Sequence, residues 1–273
     1  MADTASSRGE RLEGSFEAVL TTTGPATLDI AIHAGFIRIR AGEAGSVRVR
    51  GVMRGRRSVF GWGSAEERIR QIEAKPPVQQ EGNTIRIGDV TDRWLLRGIA
   101  LFLEIAAPTD TKVRALSDSG DIRVQEVGGV VDCEADSGDI EITGVDGDVR
   151  ASTDAGSISV RQVKGRVYAT SDSGDIETLD IAGDIEAGTD SGNISIVQTA
   201  AAPVRAESDS GRIRVRLAPD AGYTITTSTD GGEITLPELE WFEPISNNQA
   251  RGRLRGGGST VDLTTDSGDI SIR

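Results

Sequence analysis

An 18-residue repeat constrains the fold of this chain more than any other feature. The tripeptide Asp-Ser-Gly begins six times, at Asp118, Asp136, Asp172, Asp190, Asp209 and Asp266. The variants Asp-Ala-Gly and Asp-Gly-Gly begin at Asp154 and Asp230, and the five turns from Asp118 to Asp190 are spaced by 18 residues each. A fixed period of this length is typical of solenoids, in which every repeat stacks on its neighbours.

Each period contains two segments in which apolar and polar residues alternate. The first follows the Asp-Ser-Gly turn, as in Ile140-Glu-Ile142, and the second follows a glycine, as in Val149-Arg-Ala151 after Gly147. Alternation with a period of two indicates a β-strand with one buried face. Equivalent positions form one column of Val131, Val149, Val167, Ile185 and Val204 and one of Cys133, Ala151, Ala169, Ala187 and Ala206.

The repeat therefore predicts an all-β fold, a single-stranded parallel β-helix or β-solenoid with coils of about 18 residues. Two glycine-marked turns in each period favour two main strands per coil. A triangular coil with three strands per turn has the same period and is the alternative. We expect the isoleucines after the turns to form one buried column, which contains Ile122, Ile140, Ile158, Ile176, Ile194 and Ile213.

The pattern divides the chain into three regions. We expect a flexible N-terminus at residues 1–13, a β-rich first part of the solenoid at 14–107, and the regular repeats at 108–273 with a loop excursion at 237–250. Candidate strands of the first part lie at 27–32, 36–40, 46–52, 83–87 and 99–106, and a short helix at 65–74 ends before two prolines. Some aromatic residues outside the repeats should cover edges of the solenoid, a set that contains Phe60, Trp62, Trp94, Phe102, Trp241 and Phe242.

Charge and hydropathy limit which partners and which cellular locations the sequence favours. The net charge of −13 disfavours nucleic acid, because phosphate contacts need clustered Lys and Arg. No run of 18 apolar residues occurs, which predicts no transmembrane segment in this chain. The first residues lack the apolar stretch of a signal peptide. We therefore expect an exported or cell-envelope protein if a leader was removed, and otherwise a cytoplasmic one.

The Asp-Ser-Gly turns are the first candidate site. We interpret their Asp and Gly as structural turn residues, in which the Asp accepts hydrogen bonds from the amides that follow it. These residues are Asp118, Gly120, Asp136, Gly138, Asp154, Gly156, Asp172, Gly174, Asp190, Gly192, Asp209 and Gly211. The six carboxylates should share one edge with Asp121, Asp139 and Asp175, and Ca²⁺ binding there is the alternative, since Ca²⁺ prefers oxygen ligands. We predict no cofactor.

Three other features are interpreted as structural. His33 is the only histidine and, with one cysteine in the chain, cannot complete a zinc site, so we expect it on the surface of an early strand. Cys133 occupies a column otherwise filled by alanine and should be buried as a small hydrophobe. An arginine cluster should face water from alternate strand positions, with an anion or polysaccharide patch as the alternative; it contains Arg38, Arg40, Arg48, Arg50, Arg54, Arg56 and Arg57.

The chain resembles the DUF4097 family of bacterial β-strand-repeat proteins. The resemblance rests on the repeated SDSGDI unit, the opening GSFEAVLTTTGPATLDIAI and the closing GGGSTVDLTTDSGDISIR, and extends from about Gly14 to Arg273. It implies a β-strand-repeat fold. It also implies an adhesin-like role, because members of the family are often labelled as candidate adhesins. Members often have a secretion signal or a membrane anchor. The resemblance implies no catalytic residues.

The sequence favours a non-catalytic structural or interaction protein, with the solenoid as a platform or spacer for a protein, a glycan or another copy of itself. The Asp residues recur in every repeat, whereas an active site is local. Recognition should use a side face, whose outward residues are Arg123, Glu141, Ser159, Glu177, Ser195 and Arg214 on the first strands and Asp132, Arg150, Tyr168, Glu186 and Arg205 on the second. Neighbouring repeats should pair opposite charges on this face, such as Arg123 with Glu141 and Asp132 with Arg150. The alternative is a carbohydrate-active β-helix enzyme, a polysaccharide lyase or hydrolase, which needs a groove with converging acid and base groups.

Overall fold

The structure is a computed structural model that describes residues 11–56, 65–88, 96, 98–246 and 248–273. The predictions for residues 1–10 and for Arg57, Phe60, Trp62 and Trp94 lie outside the described residues. Most described residues are in β-strands, and the helix among them has ten residues. No helix in the described ranges has the length and apolar character needed to cross a membrane.

The N-terminal part combines strands with a short helix. In chain order the elements are β1 (Arg11–Thr21), β2 (Thr27–Ala41), β3 (Ser46–Arg56), α1 (Ala65–Ala74), β4 (Val78–Glu81), β5 (Thr84–Gly88) and β6 (Ile99–Ala107). The predicted helix and strands are confirmed, although two of the predicted strands are joined in β2. Residues 11–13, which were predicted as part of a flexible N-terminus, belong instead to β1. Ile69 and Ile72 of α1 are buried, and the amide of Ser15 donates to Glu73 at 3.1 Å. The helix therefore packs against β1.

The regular repeats follow with two strands each. They are β7 (Lys112–Val127), β8 (Val131–Ser137), β9 (Ile140–Val145), β10 (Val149–Ala155), β11 (Ile158–Val163), β12 (Val167–Ser173), β13 (Ile176–Ile181), β14 (Ile185–Ser191), β15 (Ile194–Gln198), β16 (Val204–Ser210) and β17 (Ile213–Arg216). The long strand β7 extends through its Asp-Ser-Gly segment and contributes both strands of its repeat. Two strands per period rule out the triangular coil.

The C-terminal part contains a hairpin that the sequence did not indicate. Its strands are β18 (Tyr223–Thr229), β19 (Ile234–Thr235), β20 (Trp241–Ser246), β21 (Gln249–Leu254), β22 (Ser259–Ser267) and β23 (Ile270–Ile272). The segment predicted as a loop at 237–250 includes β20 and the start of β21, which pair antiparallel. All six residues of β20 are exposed, so no alternation marks this strand, and Pro244 is unusual within one.

The strands stack into two parallel sheets. Strands after the Asp-Ser-Gly turns form the first sheet, and strands before these turns form the second. We call one strand of each sheet, with the turn between them, a rung. Equivalent residues of successive rungs pair in register, so that Val149 lies between Val131 and Val167. This pairing confirms the β-solenoid and its 18-residue coil.

At the N-terminal end, one rung lies out of chain order. Strand β2 pairs in parallel with β5 and β6 on one side and with β7 on the other. The rung at 27–41 is therefore inserted between the rungs at 84–107 and 112–127. Antiparallel strands complete this end, with β3 and then β1 beyond β6 and with β4 beyond β5.

The C-terminal end has the same arrangement. Strand β22 lies between β16 and β18, and β23 lies between β17 and β19. The last rung of the chain, at 259–272, is thus inserted between the rungs at 204–216 and 223–235. Beyond β18, the antiparallel strands β21 and β20 extend the second sheet.

The core is one continuous cluster of side chains from both sheets. The predicted isoleucine column is buried, and each of its members is at most 1% exposed. Cys133 and the alanines of its column are buried as well. Both predicted columns are confirmed, because in-register stacking places residues of equal size on top of each other.

Glycine is required at the corners because successive rungs approach closely there. A Cβ atom on Gly156 would lie 2.1 Å from the carbonyl oxygen of Gly138, and one on Gly174 would lie 2.0 Å from that of Gly156. Buried hydroxyls inside the corner bond these carbonyls, as Thr153 donates to Gly138 (3.2 Å) and Ser171 donates to Gly156 (3.0 Å). The same close approach occurs at the other predicted turn glycines, which are Gly120, Gly138, Gly192 and Gly211.

Candidate functional site

A column of charged and polar side chains runs along the outer surface of the first sheet. The register gives each of the ten strands from the N-terminal end of this sheet to β17 one member of this column. From the N-terminal end, the members are Glu17, Arg50, Glu104, Arg38, Arg123, Glu141, Ser159, Glu177, Ser195 and Arg214. The last six are the outward residues predicted from the sequence. Neighbouring strands are about 4.8 Å apart, so the column presents polar groups at short, regular intervals.

A groove of about 420 Å³ lies on this column, and we call it the side groove. Its lining includes Phe36, Arg38, Arg123, Glu141, Ser159 and Arg161. Phe36 forms an aromatic wall. Its ring makes an edge contact with Phe102, with centroids 5.3 Å apart, and the Arg38 guanidinium lies 5.2 Å from its centroid. The groove therefore combines an apolar ring with polar groups.

Two arginines of the side groove are paired with carboxylates across the rungs, whereas the lining carboxylates of Asp121 and Asp139 form no ion pair among the described residues. Arg123 donates from Nε to Glu141 Oε2 at 2.7 Å, which confirms the predicted pairing. Arg161 donates to the Ser159 hydroxyl at 3.1 Å and to the Glu177 carboxylate at 2.5 Å. These bonds fix the positions of the exposed guanidinium and carboxylate groups. Such groups can bind the hydroxyls of a ligand that lies along the sheet.

On the second sheet, the pairing differs from the prediction in one detail. Asp132 and Arg150 are neighbours in register, as predicted. The described residues include no ion pair between them, because the Arg150 guanidinium lies over the Tyr168 ring, 4.7 Å from its centroid. Stacking on an aromatic ring thus takes the place of the expected charge pair.

The first Asp of each Asp-Ser-Gly turn lies on an exposed edge, as stacking predicts. The exposed residues are Asp118, Asp136, Asp154, Asp172, Asp190 and Asp209. The prediction that each caps its own turn is wrong, since none of these six accepts a hydrogen bond from the next two amides in the described residues. The glycine amides donate to the following rung instead, as Gly138 does to the Ala155 carbonyl at 3.1 Å.

The residue after the glycine performs the capping that was assigned to the first Asp. Asp121 accepts a hydrogen bond from the amide of Asp139 (3.1 Å), and Asp139 accepts one from Ser157 (2.8 Å). Asp175 likewise accepts a bond from the amide of Asn193 at 2.8 Å. These bonds join successive rungs, so they stabilise the stack rather than the individual turn.

His33 stands at the N-terminal end of the Asp edge. The register places it beside Asp118, whose carboxylate contacts its Nδ1, and both side chains are exposed. The surface position of His33 is confirmed, while the contact was not predicted. In the part of the chain that the structure describes, no group of three or more His, Cys, Asp and Glu side chains is arranged to hold a metal ion.

The remaining sequence candidates occupy the positions expected of structural residues. Cys133 is fully buried, and this burial raises the pKa of its thiol far above the usual value. The outward positions of β2 and β3 carry the arginine cluster, with Arg38 half-buried and Arg40, Arg48, Arg50 and Arg54 exposed. Arg57 lies outside the described residues. The described side chains of the cluster face solvent, as predicted from strand alternation.

Two groove residues were not identified from the sequence. Phe36 and Arg161 occupy outward positions in the same alternation as Arg38 and Ser159. An aromatic side chain at an outward position of a strand was the available signal for Phe36. Arg161 could have been found as the next outward residue after Ser159.

One protein family and one solved structure agree with this architecture. A family model described as Toastrack DUF4097 matches residues 27–273. A crystal structure of a candidate adhesin from Bacteroides fragilis aligns with a TM-score of 0.51 and 14% identity, over 95% of this chain and 97% of that chain. A candidate cell adhesion protein from Clostridium sporogenes aligns with a TM-score of 0.29 and 12% identity, over 96% and 99% of the chains. A comparison with curated proteins gives no match. At this identity, the Bacteroides structure supports the fold alone.

Proposed function

Because the chain belongs to the Toastrack DUF4097 family, we propose that it is a non-catalytic, adhesin-like binding platform of the bacterial cell envelope. In this proposal the side groove holds an extended glycan, and the solenoid is the rigid support. The structure from Bacteroides fragilis shares this fold over nearly its whole length, and its candidate role in adhesion suggests the adhesin-like role that is proposed for this chain.

The side groove is the observation that carries the proposal. It lies along a column in which every rung presents a polar side chain, and it adds the ring of Phe36. A glycan chain has repeated hydroxyls and apolar ring faces, so successive sugar units can make similar contacts on successive rungs. Individually weak contacts of this kind add up when the ligand is itself extended.

The pairing of the groove charges supports binding rather than catalysis. General acid–base catalysis needs a group that can exchange a proton with the substrate. The carboxylate of Glu141 is bonded to Arg123, and that of Glu177 is bonded to Arg161. Both carboxylates are therefore held by cations on the surface of the sheet, and the other two groove carboxylates, Asp121 and Asp139, accept hydrogen bonds from amides of the next rung.

The test is a panel of polysaccharides assayed for binding and for cleavage with the same protein. We expect binding to at least one extended glycan and no turnover. Arg123→Ala should weaken that binding by about tenfold, because it removes hydrogen bonds from a charged donor. The control is Arg114→Ala, an exposed arginine of β7 that belongs to the second sheet.

Turnover that a single substitution in the groove abolishes would contradict the proposal and favour a lyase or hydrolase. Equal loss of binding in both arginine variants would show that the side groove is not the binding site. The envelope location is tested separately, by fractionating the source bacterium with an antibody against the chain. Recovery only in the cytoplasmic fraction would contradict that part of the proposal.

A further inference from the structure

A second cavity, of about 440 Å³, lies on the outer surface of the first sheet near its N-terminal edge. Its floor includes Ala106 of β6, and the register places Arg48 of β3 and Arg40 of β2 on either side of this residue. We call this cavity the arginine pit. Because the Ala106 side chain is one methyl group, the space between the two longer arginines is left open.

Two arginines of the pit have no partner of opposite charge in the part of the chain that the structure describes. Arg40 and Arg50 both line the pit and are exposed. Neither makes an ion pair or a side-chain hydrogen bond to any described residue. An unpaired guanidinium has five N–H donors in a fixed planar arrangement, and it binds carboxylates with two parallel hydrogen bonds.

The carboxylates near the pit are directed to other arginines. Glu17 and Glu104 line the pit on the strands next to Arg50. Glu17 Oε1 lies 3.8 Å from Arg48 Nε, and Glu104 Oε1 lies 3.8 Å from Arg38 Nη1. The pit therefore keeps donors for an added anion, although the protein as a whole has a net charge of −13.

The surroundings of the pit indicate which anion fits. The overall negative charge disfavours a nucleic acid or a polyphosphate, so the ligand should carry no more than one charge on each of its units. Val19 is next to Arg48 in register and is 61% exposed, which provides an apolar contact beside the cations. A hexuronic acid combines one planar carboxylate with an apolar ring face. We infer that the arginine pit binds the carboxylate of an acidic sugar, independently of any glycan in the side groove.

The test measures trigalacturonate binding by titration calorimetry at low ionic strength. The double variant Arg40→Ala/Arg50→Ala should weaken binding by at least about tenfold, because it removes two charged donors. The matched control is Arg114→Ala/Arg216→Ala, which removes the same charge from exposed positions. Arg216 lies on β17 at the far end of the first sheet. This control should change the affinity by less than about twofold, as expected for distant surface charges.

Further measurements separate the possible causes of binding. Maltotriose, a neutral trisaccharide, should not bind the pit, and citrate should bind at least about tenfold more weakly than trigalacturonate, since it lacks the sugar ring. Arg123→Ala should retain trigalacturonate affinity, which distinguishes the pit from the side groove. Thermal melting of each variant should show an intact fold.

The inference is overturned if wild-type protein does not bind trigalacturonate, or if the pit variant binds it as tightly as the control. Equal affinity for citrate would overturn the assignment to a sugar. Loss of affinity in Arg123→Ala as large as in the pit variant would overturn a separate site. Failure of trigalacturonate binding alone leaves the side groove untouched, so the two proposals fail independently.

Discussion

The middle of the solenoid and its two ends are built from the same kind of rung, but they differ in how the chain orders these rungs. From residue 131 to residue 198, each rung pairs with the one before it and the one after it in the chain. At the ends, the rungs at 27–41 and 259–272 are each inserted between two rungs that are consecutive in the chain. The alternating pattern of a segment thus specifies a rung, but not its place in the stack.

The insertions give the terminal segments the environment of the middle. In a strictly sequential stack, the last segment of the chain would have a free edge, and free edges invite pairing with other chains. Here the last rung has a parallel neighbour on each side. The outermost strands are instead antiparallel or very short, as in β1, β4 and β20 and in the two-residue β19.

The prediction with the largest expected effect tests whether successive rungs approach each other as closely at the corners of the end rungs as at those of the middle rungs. A Cβ atom would lie 2.1 Å from a backbone carbonyl oxygen at Gly156 and 1.9 Å from one at Gly232, near the C-terminal end. Gly156→Ala and Gly232→Ala should each lower the free energy of unfolding by about 3 kcal/mol, because backbone must shift to admit the methyl group. Urea denaturation measures both.

The control for this prediction is Gly188→Ala. The nearest atom to a Cβ atom at Gly188 is 3.9 Å away, so this variant should be neutral or slightly more stable. A lower free energy of unfolding for Gly156→Ala but not for Gly232→Ala would show that the end rungs are packed less closely than the middle ones.

The second prediction tests the insertion of the last rung. Val167 in the middle and Val261 in the last rung occupy the same inward column, and both are fully buried. Val167→Ala and Val261→Ala should therefore each cost about 2 kcal/mol in the free energy of unfolding, through lost burial and the cavity that is left. If Val261→Ala lowers the free energy of unfolding by less than half as much as Val167→Ala, the last rung frays.

Hydrogen exchange provides an independent measurement of the same comparison. The amides of 261–265 and 149–153 should be protected to a similar degree, because both segments lie between two parallel neighbours. Faster exchange in the last rung would contradict its interior position.

The sequence predicts the middle of the molecule more completely than its ends. The constant spacing of the Asp-Ser-Gly turns determines the register there, and the matched sizes of Val149 and Val167 make any other stacking unfavourable. At the ends, the inward Val261 and Leu263 fit the column equally well beside any rung, so their pattern does not specify neighbours. The insertion depends on long-range pairing, which has no local signal.

Some backbone conformations and parts of the candidate site likewise have no local signal in the sequence. Glu126, Gln162 and Asp180 have positive φ values at equivalent positions of three rungs, and only Gly144 in the fourth marks this conformation in the sequence. The outward residues of the side groove follow from alternation. The depth of the groove and the unpaired arginines of the pit depend on side-chain placement, which alternation does not provide.

The third prediction concerns the junction between the middle and the C-terminal end. Tyr223 of β18 is fully buried, and its hydroxyl lies 3.2 Å from Gln198 Oε1 and 3.3 Å from the amide of Ala218, which donates to it. Tyr223→Phe should lower the free energy of unfolding by about 1–2 kcal/mol, because the buried Gln198 loses its donor. Tyr168→Phe is the control, since Tyr168 is half-buried on the outer surface. Equal effects of the two substitutions would show that the buried network does not join the end to the middle.

The smallest expected effect is a gain in stability from within the regular middle. Thr178 is fully buried in the inward column between Val160 and Ile196, and in the described residues its hydroxyl has no hydrogen-bond partner. Thr178→Val should raise the free energy of unfolding by about 1 kcal/mol, since it replaces an unsatisfied buried hydroxyl by a methyl group of similar size. Thr189→Val is the matched control, because the Thr189 hydroxyl donates to the Gly174 carbonyl at 3.1 Å, and its loss should cost about 1 kcal/mol. Urea denaturation measures both changes in the free energy of unfolding. Changes of opposite sign in the two variants would show that buried hydroxyls stabilise the stack only at the corners. A loss of stability in both variants would mean that Thr178 has a role in the core that its geometry does not indicate.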